Sequence, residues 1–272
     1  MIRPLVLILA SALGLALCPS CAGPPAPPVK LDVSGVTPAA DYRDLAAVLH
    51  RALDKDGQII PFRLRDCSGR LEAQLKLLAV AGPTATPPLF AGDEAKLAYW
   101  YNARAAWAMK LALDAHCPEK MAPRDLDRRP FPLDGRTVTL EEIDRILLAD
   151  RDWRTVVAAP CVRLDRAALP KEPFSAADVR PRIAQRFNDF MGDSKRFAID
   201  VEGKRLLAPA VLWQFRDRLI ESYSRTYGTV RPSFVTALLP YVDGPARRRL
   251  QDAIGYESAA ARANDAIARV PD

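Results

Sequence analysis

From Asp93 to His116 the chain reads DEAKLAYWYNARAAWAMKLALDAH, 24 residues with neither proline nor glycine. At about 3.6 residues per turn, Leu97, Trp100, Tyr101, Trp107, Met109, Leu111 and Leu113 spread over more than one face of a helix. A surface helix keeps its apolar side chains on one stripe, so a helix apolar nearly all round belongs at the centre of a domain. The rest of the fold is expected to wrap this segment.

The flanking sequence supplies the wrapping. Tyr42, Leu45, Leu49 and Leu53 form one stripe after Thr37-Pro38, ended by Gly57, and Leu71, Leu75 and Leu78 form another after Ser68. Thr139-Leu140-Glu141-Glu142 is a capping box, in which the Thr139 hydroxyl accepts the Glu142 N–H while the Glu142 carboxylate accepts the Thr139 N–H. It opens a helix carrying Ile143, Ile146 and Leu147. Ser175 to Asp178 starts a helix through Ile183, Phe187 and Phe190, Pro209 opens one with Leu212, Phe215 and Leu219, and short helices follow near Ser233 and Pro245. Strands are few. Val156 to Ala159 reads as a buried strand within 153–161, and 197–207 reads as a small hairpin turning at Glu202-Gly203. The expected class is α+β, a mostly α-helical single domain with a few short strands.

The N-terminus points to export. Arg3 is followed by 13 uncharged, mainly apolar residues from Leu5 to Leu17. That is a signal-peptide core, too short for a membrane span, which needs about 20 residues. Ser20 and Ala22 place small residues for cleavage, giving a signal peptide over 1–22. A lipoprotein signal with Cys18 or Cys21 as lipidated residue is the alternative, although neither has a clean lipobox. Residues 23–32 begin Gly-Pro-Pro-Ala-Pro-Pro and read as a tether, leaving one globular domain over 33–272. The expected location is the bacterial envelope, either periplasmic or anchored there by lipid.

Composition narrows the function classes. The net charge of +6 on 272 residues, carried by 30 arginines and nine lysines, is too small to mark a nucleic-acid binder. Membrane contact is expected only through a lipid anchor. No zinc-ligand spacing, glycine-rich phosphate loop or Gly-x-Ser-x-Gly elbow occurs, so neither metal nor cofactor is expected. Two histidines exist: His50 lies beside Leu49 in an amphipathic helix, where surface placement is expected, and His116 closes the central helix, where a cation suits the negative dipole end. Cys67, Cys117 and Cys161 survive signal cleavage, and in an oxidising compartment two of them can pair.

The order of three stretches carries a resemblance: Leu97 to Ala103 with Trp100 and Asn102, then Gly135 to Ile143, then Arg154 to Cys161. It resembles the domain of unknown function 547 family over about 41–219, with Trp100, Asn102, Thr139, Ile143, Arg154 and Cys161 at matching positions. The resemblance hints at a thiol site on Cys161. The departures fall on polar positions: Arg104 and Ala105 stand for Tyr and Asn, Asp144-Arg145 for Glu-His, and Val156 for a histidine, while a second cysteine after Cys161 is missing.

Two principal readings follow. The first is a non-catalytic binding or scaffold module whose partner is an envelope protein or a small ligand, with Asn102 and Arg154 as candidate binding residues. The second is a Cys161-dependent hydrolase or acyl transferase using His116 or a carboxylate as base. A redox-responsive thiol is a third. Because Val156 replaces the histidine within an apolar run, Cys161 is expected to lie in an apolar setting and to react poorly.

Overall fold

Every residue from Leu97 to Ala112 except Lys110 is buried, including Trp107, Tyr99 and Tyr101 at 0% exposure. This is the middle of helix α4 (Asp93–Asp114) in a computed structural model that describes residues 26–271. The signal-peptide and lipobox expectations therefore lie outside the described residues. Helices α1 (Arg43–Ala52), α2 (Pro61–Asp66) and α3 (Ser68–Val80) cover one side of α4, through direct packing of α2 and α3 on it and of α1 on α3. Past the short α5 (Pro123–Leu126), α6 (Leu140–Leu148) packs on α4, and so does α8 (Val179–Gly192), with α7 (Arg154–Val157) between α6 and α8. Alanine at 103, 105, 106 and 108 leaves room for these close approaches.

The end of α4 explains His116. The His116 N–H donates to Leu113 O at 2.9 Å and the Cys117 N–H to Ala112 O at 2.7 Å, the paired bonds of a Schellman cap. Both residues take positive φ, 61° and 48°, so His116 fills the left-handed position usually given to glycine. The capping box forms as expected: the Glu142 N–H reaches Thr139 Oγ1 at 3.2 Å and the Thr139 N–H reaches Glu142 Oε2 at 2.7 Å.

Asp134-Gly135 turns a hairpin absent from the sequence reading, β1 (Phe131–Leu133) with β2 (Arg136–Val138), both turn residues having positive φ. The Asp134 carboxylate accepts the N–H groups of Thr84 and Ala85 at 2.8 Å each, tying the hairpin to the loop after α3. A Cβ on Gly82 would lie 2.3 Å from Asp134 Oδ1. Gly82→Ala is therefore expected to cost about 1–3 kcal/mol by forcing that carboxylate off its donors. Urea denaturation measures it; an unchanged midpoint would show that the contact yields freely.

The expected strand over 153–161 is corrected. Val156, Val157, Ala158 and Ala159 are buried, but Arg154–Val157 is the helical turn α7. Its start is set by carboxylates, since Asp150 Oδ1 accepts the Asp152 N–H at 2.8 Å and Asp152 Oδ1 accepts the Arg154 N–H at 3.0 Å. Such local bonds favour a turn over a ladder.

The hairpin near 197–207 is present as β3 (Ala198–Asp200) antiparallel to β4 (Arg205–Ala208), in register Ala198 with Leu207 and Asp200 with Arg205. A third strand, β5 (Glu257–Ala260), joins β4 in parallel. The helix expected from Pro209 is split at Phe215 into α9 (Ala210–Trp213) and α10 (Arg216–Tyr227), followed by α11 (Phe234–Leu238) and α12 (Gly244–Asp252).

Beyond β5 the chain runs back across the body, pairing Ala266 with Lys120, Ile267 with Arg163 and Arg269 with Ile59. The proline-rich lead-in also docks: the Val29 N–H donates to Pro130 O at 2.9 Å, and Val29 and Leu31 pack on the core. Prolines there remove donors but leave Val29 free to make its bond. Among the described residues no helix is long and apolar enough to cross a membrane.

Candidate functional site

Cys161 follows α7 and is 1% exposed, its N–H donating to Ala167 O at 2.9 Å. It belongs to the apolar core with Val156, Val162 and Ala167, as the sequence implies, but that setting is apolar only in part. The Arg104 guanidinium, itself 0% exposed, lies beside the thiol. Arg104 makes a fork with Asp144, Nε to Oδ1 at 2.7 Å and Nη2 to Oδ2 at 3.1 Å, while Nη1 donates to Pro160 O. Asp144 Oδ2 also accepts Arg166 Nη2 at 2.7 Å. Arg163 and Arg196 extend the network, Arg163 pairing with Asp127 at 2.9 Å and with Asp165 at 3.1 Å, and Arg196 with Asp193 at 3.1 Å.

The electrostatics favour charge on the central pair. Burial works against the Arg104 cation, but the Asp144 charge and hydrogen bonds outweigh it and hold the guanidinium pKa above its ordinary value. For Asp144 burial opposes the carboxylate too, and Arg104 and Arg166 together hold its pKa below the ordinary range. Both groups keep their charge because each is the other's counter-ion.

The other expected site residues lie apart from the thiol's charged cluster. His116 is exposed at the cap of α4, and His50 is exposed in the last turn of α1. Asn102 is 0% exposed and spends its amide on one backbone unit, Nδ2 donating to Phe174 O at 2.9 Å and Oδ1 accepting the Phe174 N–H at 2.8 Å. It is a core link between α4 and the segment before α8. Arg154 is held by Asp152, Nη2 to Oδ2 at 2.8 Å. Cys67, Cys117 and Cys161 are all buried. Among the described residues no group of three or more His, Cys, Asp or Glu is placed to hold a metal.

The sequence reading missed a cleft of about 660 Å³, which shares Arg196 with the thiol network. Helix α8 supplies one wall, the turn after α1 at Gly57 a second, and residues 164–171 a third. Gly57, at φ 72°, approaches so closely that a Cβ there would meet Leu169 O at 2.7 Å. Six cations line the cleft, Lys55, Lys171, Arg182, Arg186, Lys195 and Arg196, against the carboxylates of Asp56, Asp189 and Asp193.

Arg186 donates from Nε to Ala158 O at 3.1 Å and from Nη2 to Ala168 O, with no carboxylate paired to it among the described residues. Burial pushes its pKa down to about 10, with the charges of Arg182 and Arg196 acting in the same direction. Arg182, one turn earlier, stands 4.0 Å over the Phe174 ring and donates to Glu172 O and Pro173 O. Arginines four apart on α8 were the available sequence signal. Only the fold reveals that Arg196 and Lys55 meet them.

No protein-family model, curated protein or solved structure matches the chain.

Proposed function

We propose that this chain is an exported, non-catalytic binding or scaffold module of the cell envelope, a divergent member of the domain of unknown function 547 family. The observation that carries the reading is the Arg104–Asp144 fork. Both residues depart from the polar pattern of the family the sequence resembles, and they bond each other at 2.7 and 3.1 Å beside Cys161. A reactive thiol needs a base or cation free to respond to it and a path for substrate. Here Arg104 reaches the thiol, but its charge is already matched by Asp144 and it also donates to Pro160 O, while Cys161 is 1% exposed and both histidines stand on the surface. Further support comes from the packing of α4, α6 and α7, which brings the three stretches of the resemblance together. The binding partner is an envelope protein or a small ligand rather than a nucleic acid.

Iodoacetamide labelling tests the reading. In a Cys67→Ser, Cys117→Ser background, native Cys161 is expected to label roughly 100-fold more slowly than the urea-unfolded chain, because alkylation waits on opening of the fold. Fast labelling of the native protein at pH 6, abolished by His116→Ala, would overturn it in favour of the thiol enzyme.

A further inference from the structure

We propose that the cleft beside α8 binds a small amphipathic oxyanion, its carboxylate or phosphate head held by Arg186 and Arg182 and its apolar body lying along Leu169 and Phe190. The inference rests on the binding reading above and names the class of ligand.

The cleft's size comes first. About 660 Å³ falls within the range of small-molecule sites, roughly 300–1,000 Å³. Its charge comes second. Asp193 is engaged by Arg196 at 3.1 Å and also accepts the Lys195 N–H at 2.8 Å, so one of the three carboxylates is already committed. Arg182 has Asp178 at 3.3 Å, whereas Arg186 makes no ion pair among the described residues: the charge of Asp189 favours its cation, and those of Arg182 and Arg196 oppose it. Like charges gathered in excess of their counter-ions, six cations against three carboxylates here, repel one another and are relieved by an anion.

Geometry comes third. Arg186 is anchored by Nε and Nη2 to carbonyls on two different segments, at Ala158 and Ala168, which fixes its plane before any ligand arrives. Its Nη1 donates to no acceptor among the described residues. A fixed guanidinium with a free donor suits an oxyanion, since a charge-assisted bond is stronger than a neutral one and the ordering cost is already met. The apolar lining at Leu164, Leu169, Pro170 and Phe190 suits a hydrocarbon body rather than a bare inorganic ion.

Calorimetric titration of the protein with hexanoate, hexyl phosphate and hexanol tests this, the three probes sharing one tail. Either or both anions are expected to bind at least tenfold more tightly than hexanol, with affinity falling as salt rises from about 0.05 to about 0.5 M. Arg186→Gln should weaken anion binding about tenfold or more. Lys55→Gln, on the cleft rim and outside the core, should weaken it severalfold and serves should Arg186→Gln fail to fold.

Competition separates the two heads: displacement by acetate alone identifies a carboxylate site, and displacement by inorganic phosphate alone a phosphate site. Equal binding of hexanol and the anions would overturn the anion class and leave the binding reading standing. Absence of binding by all three probes up to about 10 mM would overturn the proposal. Fast labelling of Cys161 would instead strike the non-catalytic reading itself.

Discussion

Asp144→Asn is expected to lower stability by about 3–5 kcal/mol at pH 7, among the largest losses available to a single polar substitution in this protein. The size follows from what is left behind. Arg104 is 0% exposed and has its Nε and Nη2 on Asp144, so the variant strands a buried cation, and Arg166 loses the same partner. Asparagine retains one acceptor but no charge. Replacing both members, as Arg104→Met with Asp144→Leu, removes the stranded ion and should return about 1–4 kcal/mol of the loss.

The pH dependence has a definite sign. The folded pKa of Asp144 lies below its ordinary 3.8, so its contribution is complete above that value and fades as pH falls through the lower folded pKa. Wild type and Asp144→Asn should therefore differ by a constant amount near neutrality and converge in acid. Urea denaturation at pH 7 and below pH about 3.8 measures both points. A loss under about 1 kcal/mol at pH 7 would mean that water reaches Arg104 and substitutes for its partner.

Trp107→Ala is expected to cost about 3–5 kcal/mol, because it removes the largest wholly buried side chain from the middle of α4. The indole is stacked on Phe131 with ring centroids 4.2 Å apart and planes 15° from parallel. The contact fastens the central helix to the β1–β2 hairpin, so the cavity would open between two elements. Trp107→Phe should cost much less, since it keeps a ring over Phe131 and deletes an Nε1 donor that meets no acceptor among the described residues. Thermal and chemical denaturation of the two variants separate them. Equal losses would show that ring size, rather than aromatic stacking, decides the fit.

The helices were legible wherever a local pattern and a local cap coincided. The Thr139–Glu142 box needs only four residues, and α4 announces itself by having no polar face. The run at 153–161 failed because four apolar residues are consistent with either a buried strand or a buried helical turn. The carboxylates that decide it, Asp150 and Asp152, precede the run. Strand β5 was invisible because its partner β4 lies some 50 residues earlier, and Glu257 to Ala260 has little strand character of its own. The site was less legible still. Arg104 and Asp144 stand out in the sequence only as departures from the family pattern, 40 residues apart with nothing local to pair them, and the cleft cations come from separate parts of the chain.

The returning segment after β5 bears on the order in which the molecule is built. Residues 257–269 pair with positions near 59, 120, 163 and 205, so four distant stretches receive their last backbone partner from one late piece of chain. Closing contacts of such long sequence separation comes at an entropic cost that no nearby pairing offsets, which slows folding and places these contacts late. During synthesis on a ribosome, α1 to α8 can collapse around the central helix, yet these backbone pairings stay open until this segment emerges. Synthesis of the chain thus sets the clock for its own closure.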